Sequence, residues 1–197
     1  MVPVTDGSEQ LTRAMQSLEA LFLVGVEGVT EVWLVRHADC YFEMSDPTDP
    51  PLSSLGRDQA ARLARRVKQS KPAAVYSSPY RRAVETAKAI GDDVHFDDRL
   101  VEMELEVNDD GSLDLQEPPS DVVSRMTAAV DEMIARHPGE RVVAVSHGAA
   151  IVSYLTDVLH LDPGQLRMYP YFTSISVVRA LGDRRMVGAL GDVAHLE

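Results

Sequence analysis

The chain is short of cysteine, of basic residues and of long hydrophobic runs. Its single cysteine, Cys40, cannot form an internal disulfide, and this fits a reducing compartment, so we expect a cytoplasmic protein. No stretch reaches the roughly 18 apolar residues that a membrane helix needs, so no membrane partner is expected. The apolar run at 20–26 is shorter still and follows no basic flank, so a signal peptide is not predicted.

Basic residues are fewer than acidic residues in this chain. The 19 lysines and arginines stand against 31 aspartates and glutamates, which gives a formal net charge of −12 at pH 7. A chain this acidic repels nucleic acid and anionic lipid at long range, so neither is an expected partner. It would also repel an anionic substrate, and any phosphate chemistry must therefore depend on a local cluster of basic side chains.

Strands and helices alternate along the 197 residues. Short apolar or β-branched runs predict strands, and apolar residues every three or four positions predict helices between them. The predicted strands are 32–35, 73–76, 141–145, 174–180 and 185–190, and the predicted helices are 54–69, a segment ending at Ile90, 121–136 and one after Gly148. This order predicts an α/β fold with a mostly parallel sheet covered by helices on both faces.

The N-terminal segment has a pattern of its own. Residues 1–10 have the composition of a frayed terminus, and residues 11–22 place Leu11, Met15, Leu18 and Phe22 on one helical stripe. We favour the interpretation that this helix packs on the domain. The alternative is a dimer contact.

Three polar motifs follow three of the predicted strands. They are Arg36-His37, Ser77-Ser78-Pro79 with Arg82 shortly after it, and Ser146-His147-Gly148. Ligands of such sheets bind beyond the C-terminal ends of the strands, so the motifs are predicted to face one crevice. Each motif alone fits an ordinary structural role, but together they supply two guanidinium groups and two imidazoles in an otherwise acidic chain.

Hydrolysis of a phosphate monoester would make use of that combination. It needs a nucleophile, cations for the equatorial oxygens and a proton donor for the leaving oxygen. Neutral imidazole is a good nucleophile near pH 7, and the arginine fork matches phosphate geometry. Glu102, after the short apolar segment 100–101, is one of several acids that could donate the proton.

The ordered motifs resemble the histidine phosphatase superfamily, the group similar to phosphoglycerate mutase. The matching segments are LVRHAD (34–39), PLSSLGRDQA (51–60), SSPYRRAVETA (77–87), DRLVE (98–102) and VSHG (145–148). The resemblance implies a three-layer sandwich over residues 31–197, with residues 1–30 as an extension that carries one amphipathic helix. It also implies an enzyme that needs neither a metal nor another cofactor.

The resemblance also implies a role for each matching residue. His37 would form a phosphohistidine, Arg36 and Arg82 would bind the phosphoryl oxygens, and His147 would stabilise the phosphoryl group. Glu102 would protonate the leaving group and then help to activate water. Gly148 completes the expected phosphate-binding set, which is Arg36, His37, Arg82, His147 and Gly148.

Two departures favour a phosphatase over a mutase. Glu43 stands where mutases of this group place an asparagine, and the segment 102–121 is short, with eight acids and no lysine or arginine. That segment is either a solvated loop or an acidic mouth that selects substrates with a neutral or positive group beside the phosphate. The expected partner is a small phosphate monoester or a phosphoprotein, with a homodimer as a further expectation.

Two alternatives stay open at this point, a phosphoglycerate mutase-type phosphotransferase and a silent phosphate-binding module. A cysteine phosphatase is rejected, because it needs an arginine six residues after its nucleophile and Asp46 stands there after Cys40.

Overall fold

A computed structural model of the chain describes residues 5–40 and 49–197. Its central sheet has six strands, which are β1 (Thr30–Arg36), β2 (Ala74–Ser77), β3 (His95–Phe96), β6 (Arg141–Ser146), β7 (Ile175–Leu181) and β8 (Arg184–Asp192). Their order across the sheet is β3-β2-β6-β1-β7-β8. The first four run parallel, and β7 and β8 complete one side of the sheet in antiparallel pairing. The predicted mostly parallel sheet is confirmed.

Helices cover both faces of this sheet. They are α2 (Ser54–Ser70), α3 (Arg81–Ile90), α4 (Pro119–Arg136) and α5 (Gly148–Val158), with short 3-10 turns at Asp98–Leu100 and Ala194–Leu196. α2 and α3 contribute to one core cluster, and α4 and α5 contribute to another. The three-layer arrangement expected from the sequence is therefore present.

The alternation of side chains along the strands explains the two cores. In β1, Val32 and Leu34 lie in the cluster with α4 and α5, whereas Val35 lies in the cluster with α2 and α3. Successive side chains of a strand point to opposite faces, so a central strand that is apolar throughout must be covered on both sides. The C-terminal end of β1 thereby lies between the two cores, in the middle of the domain.

The N-terminal helix α1 (Thr5–Leu21) extends further towards the N-terminus than predicted, and its stripe is not covered. Leu11, Met15 and Phe22 are 64%, 49% and 56% exposed. The favoured interpretation that this stripe packs on the domain is therefore wrong. The domain boundary near residue 30 and the homodimer stay predictions.

The acidic segment after Glu102 contains a β-hairpin rather than an irregular loop. Its strands are β4 (Leu105–Val107) and β5 (Leu113–Leu115), which pair in antiparallel register. All six residues of these strands are exposed. Among the described helices, none is long and apolar enough to cross a membrane.

Candidate active site

The predicted site lies at the C-terminal ends of three adjacent parallel strands. β6 lies between β2 and β1, and Arg36 at the end of β1 pairs in register with Ser146 at the end of β6. Beyond these ends the pairing continues by one bond on each side, because His37 N–H donates to the Ser146 carbonyl at 2.9 Å and Ser78 N–H donates to the Val145 carbonyl at 2.9 Å. The three motifs therefore converge as expected.

His37 is buried, and one of its two ring nitrogens is engaged. Nδ1 lies 2.8 Å from the Ala38 carbonyl oxygen, which can only accept, so Nδ1 carries a proton. Burial lowers the pKa of His37 to about 3, with smaller contributions in the same direction from Arg82 and Arg36. The ring is therefore neutral near pH 7, and its lone pair is on Nε2.

His147 faces His37, with ring centroids 5.1 Å apart. Its Nε2 lies 2.8 Å from Ser78 Oγ. Within the part of the chain that the structure describes, its Nδ1 is buried without a hydrogen-bond partner. Burial, His37 and the nearby arginines lower the pKa of His147 well below the ordinary value, so this ring is also neutral.

Residues 169–172 hold the Arg36 side chain, a contact that the sequence analysis does not predict. Its guanidinium lies over the Phe172 ring at 4.0 Å and over the Tyr169 ring at 4.7 Å, and Nη1 donates to the Pro170 carbonyl at 2.7 Å. Its Nε is buried and has no hydrogen-bond partner among the described residues. The aromatic run at 169–172, rare in a chain with 6% aromatic residues, is the one signal that could have suggested it.

Arg82 reaches the same place from the first turn of α3. Its side chain is 12% exposed, lies 4.9 Å from the Tyr80 ring centre and is 3.7 Å from Asp49. The Tyr80 ring in turn lies 5.2 Å from His147. Because Arg82 lowers the pKa of both histidines, its charge acts on the whole cluster.

Glu102 and Gly148 meet at the start of α5. The Glu102 carboxylate accepts hydrogen bonds from the backbone N–H groups of Ala150 at 2.9 Å and of Ala149 at 3.3 Å. Gly148 is the first residue of the helix, and a Cβ there would lie 2.7 Å from the Tyr169 ring. The acid expected from the resemblance is therefore next to the His147-Gly148 motif.

The backbone after His37 is locked by polar contacts from α2 and α3. Ala38 N–H donates to Thr86 Oγ1 at 3.0 Å, and Asp39 N–H donates to Gln59 Oε1 at 2.9 Å. Ser53, the N-cap of α2, also donates to the Asp39 carboxylate. A Cβ on Gly56 would lie 2.0 Å from the Asp39 carbonyl oxygen, so only glycine permits this approach of α2.

No group of three or more histidine, cysteine, aspartate or glutamate residues within 5–40 and 49–197 could hold a metal ion. Glu43, the position that departs from the mutase pattern, lies outside the described residues.

Comparison with known proteins decides the family. The model of the histidine phosphatase superfamily (branch 1) matches residues 32–112 and 106–192. The chain belongs to this superfamily. The matches contain His37, Arg36, Arg82, Glu102 and His147, so the resemblance noted in the sequence is confirmed at the level of the family.

Relatives in this superfamily have both phosphatase and mutase names. The chain is 26% identical to the metal-independent phosphoserine phosphatase of Arabidopsis thaliana, over 85% of this chain and 84% of that protein. It is 28% identical to the probable phosphoglycerate mutase GpmB of Proteus mirabilis, over 84% and 94%. Among solved structures, Bacillus stearothermophilus YhfR is similar with a TM-score of 0.74 and 27% identity, over 85% of this chain and all of that one.

Proposed function

We propose that this protein is a metal-independent phosphatase that hydrolyses a phosphate monoester through a phosphohistidine on His37. One observation carries the proposal: His37 is buried and neutral, with Nδ1–H bonded to the Ala38 carbonyl, so that Nε2 keeps its lone pair beside Arg36, Arg82 and His147. The two guanidinium groups attract a phosphate dianion, and the neutral imidazole can attack it without first losing a proton.

The proposed reaction has two steps. In the first, Nε2 of His37 bonds to phosphorus, the ester P–O bond breaks, and Glu102 gives its proton to the departing oxygen. In the second, Glu102 takes a proton from water, the water oxygen bonds to phosphorus, and the N–P bond breaks to release inorganic phosphate. The enzyme returns to its starting state with His37 neutral and Glu102 protonated.

The remaining residues of the site stabilise the charge on the transferring phosphoryl group. Arg36 Nε and His147 Nδ1 are buried donors that a phosphoryl oxygen would satisfy. The Ser78 hydroxyl accepts from Tyr80 N–H and lies 2.8 Å from His147 Nε2, so it can donate there and leave the His147 proton on Nδ1. Arg82 and the start of α5 at Gly148 supply further positive potential.

The substrate in this proposal is a small monoester with a neutral or positive group near the phosphate, with a phosphoprotein as a further class. The exposed acids of the β4–β5 hairpin follow Glu102 directly and would repel a purely anionic ligand. The relative named phosphoserine phosphatase acts, by its name, on an ester with an amino group. The cytoplasmic location belongs to the same proposal, supported by the free and buried Cys40.

A phosphotransferase of the mutase type is the second candidate, favoured by the relatives named GpmB. It would use the same phosphohistidine but pass the group to a second hydroxyl rather than to water. The acids of 102–121 argue against an acidic acceptor such as phosphoglycerate. Phosphate release without an added bisphosphate would separate the two.

The proposal is tested by phosphate release from p-nitrophenyl phosphate and a panel of natural monoesters in the presence of EDTA. We expect release by the wild type and a loss of at least about 10³-fold in His37→Ala, since removal of the nucleophile leaves only binding and charge. A wild type rapidly quenched during turnover should also carry acid-labile, alkali-stable phosphate, as an N–P bond does.

His160→Asn is the matched control, because His160 is an exposed histidine with φ 54°, a conformation that asparagine tolerates. It should keep wild-type activity. Release that persists in His37→Ala would contradict the mechanism, and release that stops with EDTA would contradict metal independence. No release from any ester, with exchange between phosphoglycerates instead, would favour the mutase.

A further inference from the structure

Arg125, on the second turn of α4, uses all of its hydrogen-bonding capacity beside the proposed acid. Nη1 donates to the carbonyl oxygens of Arg99 at 2.8 Å and Val101 at 2.7 Å, and Nη2 donates to that of Glu102 at 3.2 Å. Nε and Nη2 also reach the two carboxylate oxygens of Glu117, at 2.7 and 2.9 Å. A guanidinium has five N–H donors, and here each has an acceptor.

The three carbonyls belong to the segment that ends in Glu102. The carbonyl between them, that of Leu100, accepts from Ser146 Oγ at 2.7 Å. Four consecutive carbonyls are thus held by two side chains, one from α4 and one from the end of β6. The acid is fixed at its backbone by Arg125 and at its carboxylate by the amides of α5.

The contact is sheltered from solvent. The side chains of Arg125 and Glu117 are each 17% exposed. The hydrogen bonds from Arg125 lower the pKa of Glu117, which keeps that carboxylate charged as the counterion. Charge-assisted, bidentate pairs of this kind are among the stronger hydrogen bonds of proteins, and they fix geometry as well as adding energy.

We propose that Arg125 is a positioning residue of the reaction: it holds the 99–102 backbone so that Glu102 can deliver its proton to the leaving oxygen. The inference rests on the proposed function, in which Glu102 is that acid. Arg125 itself does not touch the phosphate in this scheme. Glu117, at the base of the β4–β5 hairpin, is its partner and links the hairpin to the same backbone.

The dependence on the leaving group distinguishes positioning from a merely structural role. The kcat/KM for a series of esters reports the step in which His37 is phosphorylated. An alkyl phosphate needs its oxygen protonated, whereas p-nitrophenolate leaves without a proton, so loss of a general acid affects alkyl esters selectively. This comparison is made within one enzyme preparation and does not change with the folded fraction.

The experiment measures kcat/KM for p-nitrophenyl, phenyl and alkyl phosphates in Arg125→Lys, Arg125→Met and Glu102→Gln. Lysine keeps a charge for Glu117 but has three donors instead of five and no planar fork. We expect both Arg125 variants to lose at least about tenfold more activity on alkyl than on p-nitrophenyl esters, in the same direction as Glu102→Gln. Thermal unfolding of each variant is recorded in parallel.

Arg99→Lys is the matched control. The hydrogen bonds of the Arg99 side chain go to the carboxylates of Asp97 and of Glu132 on α4, and not to the backbone of Glu102. It should leave the ratio between the two ester classes unchanged.

The outcomes separate this inference from the proposed function. Equal losses on all esters in both Arg125 variants, with Glu102→Gln still selective, would overturn the role of Arg125 alone. A Glu102→Gln variant without selectivity would overturn Glu102 as the acid, and the inference with it. Full release in His37→Ala would overturn the phosphatase mechanism itself.

Discussion

The ends of the central strands and the β4–β5 hairpin both concentrate charge, but they are built in opposite ways. At the strand ends Arg36, His37 and His147 are 5%, 2% and 0% exposed, and their backbone lies in or directly beside the sheet. In the hairpin every strand residue is exposed, and the acidic side chains bond to polar neighbours such as Asn108 and Gln116. The first region is fixed by the core, whereas the second is not.

This difference predicts how substitutions divide. In the proposed mechanism every phosphate ester meets the groups at the strand ends, so a change there should lower the rate for all of them. A change in the hairpin leaves those groups in place and alters only the potential that the rest of the substrate encounters.

Among the tests of this division the largest effect is expected for Arg82→Gln, because we propose this arginine as one of the donors for the transferring phosphoryl group. We expect kcat to fall by about 10²–10³-fold on every ester tested, the range found when one such donor is removed. The measurement is steady-state release from p-nitrophenyl phosphate and from two alkyl phosphates.

The neighbouring residue provides the control. Arg81 is also on the first turn of α3, but its side chain is 55% exposed and pairs with Glu85 one turn along the helix. Arg81→Gln should change kcat less than about twofold, as expected for an exposed pair. Similar losses in the two variants would mean that net charge, not a specific contact, drives the reaction.

A smaller effect, caused by the buried His37, is expected on the free energy of unfolding in acid. Burial lowers the pKa of His37 to about 3, while the unfolded chain keeps the ordinary value of about 6.5. Between these values the unfolded state binds more protons, so the free energy of unfolding falls as the pH drops below about 6.5. At pH 5 the contribution of His37 to that loss is about 2 kcal/mol.

Urea unfolding at pH 7.5 and pH 5.0 measures this loss, and His37→Gln should make it smaller than in the wild type. The pKa of His147 is lowered as well, so part of the loss should remain. The exposed His160 again supplies the control, and His160→Asn should show the full loss. A His37→Gln variant that is as sensitive to acid as the wild type would show that the ring is not held neutral.

The sequence predicts some features of the site and not others. The convergence of Arg36 and His147 is predictable because the C-terminal ends of parallel strands meet at one edge of the sheet, which is a rule of topology. The stacking of Tyr169 and Phe172 on Arg36 follows no periodicity and joins residues more than 130 positions apart, so no local pattern predicts it. The hydrogen bonds from Arg125 to backbone carbonyls within 99–102 also follow no local pattern, so the sequence does not predict them.

The β4–β5 hairpin could have been predicted, because the sequence contains a hairpin signal. Apolar residues alternate at 105 and 107 and again at 113 and 115, and the Asp110-Gly111 pair between them is a turn signal. The density of acids favoured a loop instead. In α1 the stripe correctly predicted a helix, but periodicity alone does not determine which surface covers it.

The smallest predicted effect tests the exposed half of the comparison. In Glu104→Gln/Asp109→Asn two exposed acids of the hairpin segment become neutral with little change of shape. We expect kcat/KM to rise about two- to fivefold for phosphoglycerate and other doubly anionic esters, and to stay level or fall for amino-bearing monoesters. The effect should shrink at high salt, because exposed charges are screened.

Glu9→Gln/Glu19→Gln is the control, since it removes the same two charges from α1. The end of that helix is bonded through the Leu21 carbonyl to Arg184, next to the opposite end of β1 from His37. If both double variants change the ester ranking equally, the selection comes from the net charge of −12 and not from the hairpin. If only the hairpin variant does so, the exposed hairpin segment and not the net charge sets the ester ranking, as the proposed division between a selecting segment and reacting strand ends requires.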